Sequence, residues 1–260
     1  MQKNIFVLLT GAFLLLCSHL VYAQKADTVI IDATKVTTGF LKPGMNRYLV
    51  YFKMGKDSSR TKYQMWSRKV DFVTYHDKEA ISVTQEWEDN DTVFHKVYSV
   101  CDKKSFAPLY QESWSRRSWS KADFISKSFS VKDTVLTEAD TARAKVGMLK
   151  AFNASLNQYV LNWHLDLEVF PILPYREGVT FMINFYDPGF SAPKLQPYTV
   201  SGSGVIEGYD NQKIDCWLLK HGNANNQETF WISKKTHEVL KLEQEFGGRF
   251  RYKVKLGFSS

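Results

Sequence analysis

Apolar and polar positions alternate with a period of two through most of this chain, the pattern of strands with one covered and one wet face. Between Asn46 and Val135 the alternation predicts strands over Arg47–Met54, Thr61–Trp66, Lys69–Tyr75, Ala80–Trp87, Thr92–Cys101, Leu109–Trp114 and Phe124–Val131. Charged or turn-forming tripeptides such as His76-Asp77-Lys78, Asp89-Asn90-Asp91 and Asp102-Lys103-Lys104 separate them. Connections this short join antiparallel neighbours. A second series is expected over Val179–Tyr186, Tyr198–Val205, Lys213–Lys220, Thr229–Ser233, Val239–Phe246 and Phe250–Leu256. Its last pair reads as the clearest hairpin. Phe250, Tyr252, Val254 and Leu256 fall on the core face, beside Leu240, Leu242 and Phe246 of the partner strand, and Arg249, Arg251, Lys253 and Lys255 fall in water. A two-residue Gly247-Gly248 turn would set Glu245 against Phe250 and mix those faces, so a three-residue loop or a bulge is predicted.

One stretch departs from period two. Thr137-Glu138-Ala139-Asp140 has the form of a capping box, and Val146, Leu149, Leu156, Val160 and Trp163 follow at mostly helical spacing. Leu161, Trp163, Leu165, Leu167 and Val169 also alternate with polar residues, yet helix is favoured as far as Pro171. The fold class implied is mainly β: a curved antiparallel sheet with one central helical segment.

The first residues change the setting. Lys3, the apolar run Ile5 to Leu16 and Val21-Tyr22-Ala23 form a secretory signal, with cleavage expected between Ala23 and Gln24. Leu16 before Cys17 is too large for a lipobox, so lipidation is rejected. The organisation expected is a signal peptide over residues 1–23 and a single β-rich domain over 24–260, with no membrane-spanning segment in the mature chain. The formal charge of +7 falls to +6 when Lys3 is removed, and the basic residues are spread out rather than blocked, which argues against a nucleic-acid partner. Cys101 and Cys216 remain in the mature chain, where export permits a disulfide and their apolar surroundings equally suit two buried thiols.

Candidate chemistry is sparse. The histidines His76, His95, His164, His221 and His237 are scattered, and no cysteine or acidic set has the spacing of a metal site, so no metal or cofactor is expected. Arg116-Arg117 between Trp114 and Trp119 could hold an anion, but on a strand the two arginines point to opposite faces. His164 and Glu168 would share a helix face at spacing four, the geometry of a base and its orienting carboxylate, although no nucleophile motif accompanies them. Thr28, Thr92, Thr134 and Thr141 each follow an aspartate and precede an apolar residue. This pattern is similar to the acceptor sites of an O-glycosylation system in some secreting diderm bacteria, and it is also ordinary turn chemistry.

Asn162-Trp163-His164-Leu165-Asp166-Leu167 leading to Leu173-Pro174, Ile183 to Gly189, Ile214-Asp215-Cys216-Trp217, Phe230-Trp231-Ile232-Ser233 and Tyr252 to Leu256 resemble a secreted bacterial family of unknown function, domain of unknown function 3108. The resemblance is clearest over roughly residues 160 to 256. In architecture it is distantly similar to the periplasmic lipoprotein carriers of the Lol type, which implies a half-barrel with helices or loops in its concavity and brings no catalytic residues. The expectation that follows is a non-enzymatic periplasmic or envelope protein that binds a lipid, a lipoprotein acyl chain or another apolar or amphipathic molecule. The alternatives are a glycan- or envelope-protein-binding module and a hydrolase with His164 as base. For the carrier, Val179, Phe181, Ile183 and Phe185 on one strand face and Leu156, Val160 and Trp163 on the helix are expected to wall an apolar cavity of at least about 300 Å³.

Overall fold

The computed structural model describes residues 27–208 and 211–257, so the expected cleavage site lies outside the described residues. In chain order the strands and helices are β1 (Thr28–Ile30), β2 (Gly44–Lys53), β3 (Thr61–Tyr75), β4 (Lys78–Asp89), β5 (Thr92–Asp102), β6 (Pro108–Ser115), β7 (Ser118–Asp123), β8 (Ser128–Val131), β9 (Thr134–Val135), α1 (Arg143–Ser155), β10 (Leu161–Asn162), α2 (Asp166–Val169), β11 (Thr180–Asp187), β12 (Ser191–Glu207), β13 (Lys213–Asn223), β14 (Asn226–Ser233), β15 (Val239–Phe246) and β16 (Arg249–Leu256). All strands join one curved sheet that does not close. β2 to β9 form one antiparallel meander and β11 to β16 another, and pairing of β16 with β2 makes the seam between them. Two short parallel pairings, β1 and β10 on β11, complete it.

Turn chemistry fixes the register. His76-Asp77, Asn90-Asp91, Lys132-Asp133 and Gly247-Gly248 each hold two successive residues at positive φ between strands paired in register up to the turn. That is the type I′ geometry, whose twist matches the strands. The Gly247-Gly248 turn is therefore a strict two-residue one, and the predicted three-residue loop or bulge is not formed. Glu245 does oppose Phe250. The faces of β16 are the reverse of those the alternation suggests: Lys253 and Lys255 are buried, while Leu256 is 43 % exposed. Ion pairs hold the lysines inside, Lys253 with buried Asp166 of the central segment and Lys255 with half-buried Glu238 just before β15.

The predicted helix from Thr137 to Pro171 is mostly absent. Thr137 N donates to Asp140 Oδ2 at 2.9 Å and Asp140 N to Thr137 O at 3.1 Å, so the capping-box residues close an isolated turn ahead of α1. α1 buries Phe152 against Phe124 and Phe129, covering the β7–β8 end of the sheet. After it the chain runs as β10, a 3-10 turn (Trp163–Leu165), α2 and a second 3-10 turn (Phe170–Ile172). This central segment, residues 161–173, is buried almost throughout and packs among the inward-facing residues of both meanders.

A small cluster of Ile214, Cys216 and Leu240, with Ile206 and Trp231 packed on it, lies apart from the main core. Gly204 has to be glycine there, since a Cβ would sit 2.5 Å from the Trp231 ring. Cys101 belongs to the main core and Cys216 to this cluster, and both thiols are free. Six strands separate β5 from β13, about 34 Å along the sheet at ordinary strand spacing, so the disulfide considered from sequence is not formed. Burial pushes both thiol pKa values up, which keeps them unreactive. Non-reducing alkylation of folded protein should label neither cysteine, and labelling after denaturation should reach both. A denatured, unreduced protein that resists alkylation would contradict this.

Candidate functional site

A charge inside the sheet sets the geometry. Arg68 lies in the middle of β3, where the alternation predicts a break between two strands, and it points inward at 1 % exposure. Its guanidinium forks onto Glu168, Nε to Oε1 at 3.0 Å and Nη2 to Oε2 at 2.6 Å. Nη1 reaches Asp166 Oδ1 at 3.3 Å, and Nη2 also donates to the His164 carbonyl at 2.6 Å. Lys253 donates to Asp166 Oδ2 at 3.1 Å and lies 4.5 Å over the Trp66 ring, which stacks on Trp87. Two cations thus meet two anions, and the group is formally neutral. Burial works against each charge. It lowers Lys253 to about 8 and pushes Glu168 above the usual carboxylate range despite Arg68, whereas at Asp166 the nearby Lys253 and Arg68 overcome burial and hold the carboxyl low.

His164 and Glu168 do not share a helix face. The 3-10 turn before α2 sends Glu168 to Arg68 and leaves the imidazole among Trp87, His95, Trp163 and Phe190. His164 Nε2 lies 3.3 Å from Asp187 Oδ1, but the atoms are not aligned for a hydrogen bond. Both ring nitrogens and that oxygen lack hydrogen-bond partners among the described residues, as do Gln85 Oε1, Trp87 Nε1 and His95 Nε2 nearby. Burial, with His95 and Arg68 adding repulsion, takes His164 down to about 3, and burial takes Asp187 up to about 7. The pair therefore keeps its proton on the carboxyl.

Below Arg68 on the same strand, an amphipathic cavity of about 650 Å³ opens between the sheet and the central segment. Tyr48, Val70, Leu167, Glu168, Pro171 and Val239 form its buried walls; Phe40 and Lys42 ahead of β2 and Met45 at the start of β2, with Lys235 and Thr236 of the β14–β15 loop, form its rim. The lining carries three lysines, Lys42, Lys235 and Lys255, against two glutamates, Glu168 and Glu238. Glu168 is taken by Arg68, and Glu238 by Lys255. Stacking of Phe40 on His237, whose Nδ1 is 3.0 Å from the Pro171 carbonyl, holds the rim loop in place.

The residues expected to wall a cavity lie elsewhere. Val179, Phe181, Ile183 and Phe185 are packed solidly in the main core, Leu156 and Val160 belong to the cluster under α1, and Trp163 is 38 % exposed. The structure does not bring these seven together around one space. Thr28, Thr92, Thr134 and Thr141 are all exposed, Thr92 and Thr134 immediately after type I′ turns. Arg68, Lys253 and the stretch from Phe40 to Met45 that leads into β2 carry the site without having been singled out in the sequence. Arg68 did leave a signal, a charge set between Trp66 and Val70 on one face of β3.

Arg68→Met leaves two buried carboxylates with one cation and should cost about 3–5 kcal/mol in urea unfolding, where a loss under about 1 kcal/mol would contradict the network. The His164–Asp187 pair gives a second expectation. Unfolded, the imidazole takes a proton below 6.5 and the carboxyl releases one above 3.8; folded, the values are about 3 and about 7. Between pH 3.8 and 6.5 both states hold one proton, so the pair adds no pH dependence there. Asp187→Asn leaves only the depressed imidazole, and stability should then fall as pH drops from 6.5 towards 3, by up to about 1.4 kcal/mol per pH unit more than in the parent protein. A gap between the two proteins that stays constant over that range would contradict the shared proton.

Residues 47–255 match the family described as a protein of unknown function, DUF3108, so the likeness extends through the first meander as well as the second. No curated protein matches the chain.

Proposed function

Because the chain belongs to the DUF3108 family, whose function is unknown, membership supplies no activity, and we propose from the geometry that the protein is a non-enzymatic binder of a single-chain amphiphile with an anionic end. The cavity between sheet and central segment carries this reading. Its volume of about 650 Å³ lies in the range of small-molecule sites, its walls are largely apolar apart from Glu168 and the Tyr48 hydroxyl, and its rim adds lysines. An acyl chain lies along Leu41, Val70, Leu167 and Val239, and its headgroup meets Lys42 and Lys235 at the mouth. The setting proposed is the envelope of a diderm bacterium after export, on the N-terminal signal pattern. His164 lies outside the cavity lining and is held neutral by burial, which supports a structural place for it over that of a base. One observation favours a second reading, a glycan-binding surface: Tyr75, Tyr110 and Tyr98 form a row, with ring centroids 6.1 and 6.3 Å apart.

A fluorescent fatty acid should bind the purified protein and be displaced by oleate. Met45→Trp, which fills the mouth from an exposed position, and Lys42→Glu, which opposes the headgroup, should each weaken binding about tenfold or more. Tyr110→Ala should leave it unchanged. Fatty-acid binding that ignores both pocket substitutions would sink the pocket, and retention of oligosaccharides through Tyr110 without fatty-acid uptake would replace this reading by the glycan one.

A further inference from the structure

We infer that the tip of the β6–β7 hairpin is a binding site for a small oxyanion carried on a ring. Arg116 and Arg117 form the two-residue connection between Ser115 and Ser118 rather than part of a strand. The opposition of faces expected along a strand does not apply in a turn, and both arginines line one pocket of about 350 Å³ with Gln64, Asp89, Phe94 and Ser115.

The surroundings are fixed before any ligand arrives. Ser115 Oγ donates to the Ser118 carbonyl at 3.1 Å and pins the turn. Gln64 Oε1 accepts from Trp66 Nε1 at 3.1 Å, which leaves its amide N–H groups as the donors free for a ligand. Phe94 sits at the irregularity of β5, where the register slips opposite Trp87 and Glu88, and its ring meets the edge or face of Trp87 at 6.3 Å. Among the described residues neither arginine forms an ion pair, and Asp89 is the only carboxylate of the lining, so two cations against one anion leave a net charge of +1 there. Guanidinium forks bind carboxylate and phosphate oxygens in pairs, and an apolar ring beside them gives a flat body a surface to rest on. The ligand class is therefore a ring-bearing carboxylate or phosphate monoester. Gln64 stands near one end of β3 and Val70, in the amphiphile cavity, towards the other, so this site does not depend on the carrier reading.

The test is calorimetric titration of the full chain with phenyl phosphate, benzoate and inorganic phosphate, the first two arms distinguishing the headgroup. At least one ring-bearing anion should bind saturably at about 1 mM or tighter and more weakly at high salt. Arg116→Ala and Arg117→Ala should each weaken it about tenfold. Phe94→Ala should bring the ring-bearing ligand to the level of inorganic phosphate, and Met45→Trp should change nothing. The Arg116→Lys/Arg117→Lys variant keeps the charge and serves as the control for folding; reduced affinity with an unchanged melting curve assigns the effect to the guanidinium forks. No saturable heat from either ring-bearing anion, or binding that survives loss of both arginines, overturns the site.

Discussion

The fork between Arg68 and Glu168 is the contact on which the rest of the concave side depends. A segment made of 3-10 turns and one short helix has few internal hydrogen bonds, so buried backbone groups along residues 161–173 need partners from the sheet. Arg68 and Gln85 both donate to the His164 carbonyl, Asn162 accepts from the His164 amide, and Asp166 accepts from its neighbour Leu167. Replaced by apolar groups of equal volume, such a buried ion group often loses nothing in stability. What it fixes is position, because only one placement of the segment lets Glu168 meet Arg68 while Asp166 meets both Arg68 and Lys253.

That placement also explains why a cavity survives next to it. Protein interiors close around voids when they can. Here the segment cannot settle deeper onto β2 and β3, since the charges hold it at Arg68, and Pro171 and Leu167 are carried past Val70 at a fixed height. The rim loop closes over the remaining gap without filling it, held by Phe40 on His237 and by Thr38 Oγ1 donating to the Lys103 carbonyl at 2.6 Å. Tyr48 completes the wall by donating to the Val239 carbonyl at 3.1 Å across the seam.

Period-two alternation read most strands of the two meanders, because hairpins with short turns are local and one buried face repeats along each strand, but it placed none at β7 and ran Phe124 into β8. It failed where the decisive partner is far away in sequence. Lys253 reads as a wet residue until Asp166, 87 positions earlier, is placed opposite it, and Arg68 reads as a break between strands until Glu168, 100 positions later, reaches it. The same distance hides the cavity. Phe181 and Ile183 have the pattern of a binding wall and of a packed core alike, and only the packing of the central segment decides that they are core. The helical reading of Thr137 to Pro171 erred for a different reason: spacing of three and four also arises in successive tight turns, and the alternation from Leu161 to Val169 already marked the stretch as something other than a helix.

The polar row around His164 is the converse case, a place where burial is not repaid by hydrogen bonds. Gln85, Trp87, His95 and His164 each leave a buried polar atom without a hydrogen-bond partner among the described residues. A charged imidazole there would add the cost of a desolvated ion to those already present. Burial avoids that charge by holding the imidazole neutral, and it also favours the protonated form of Asp187, so that neither group needs a counter-ion. His164 and Glu168 are thus accommodated by different means, the imidazole kept neutral by burial and the carboxylate paired with the Arg68 cation.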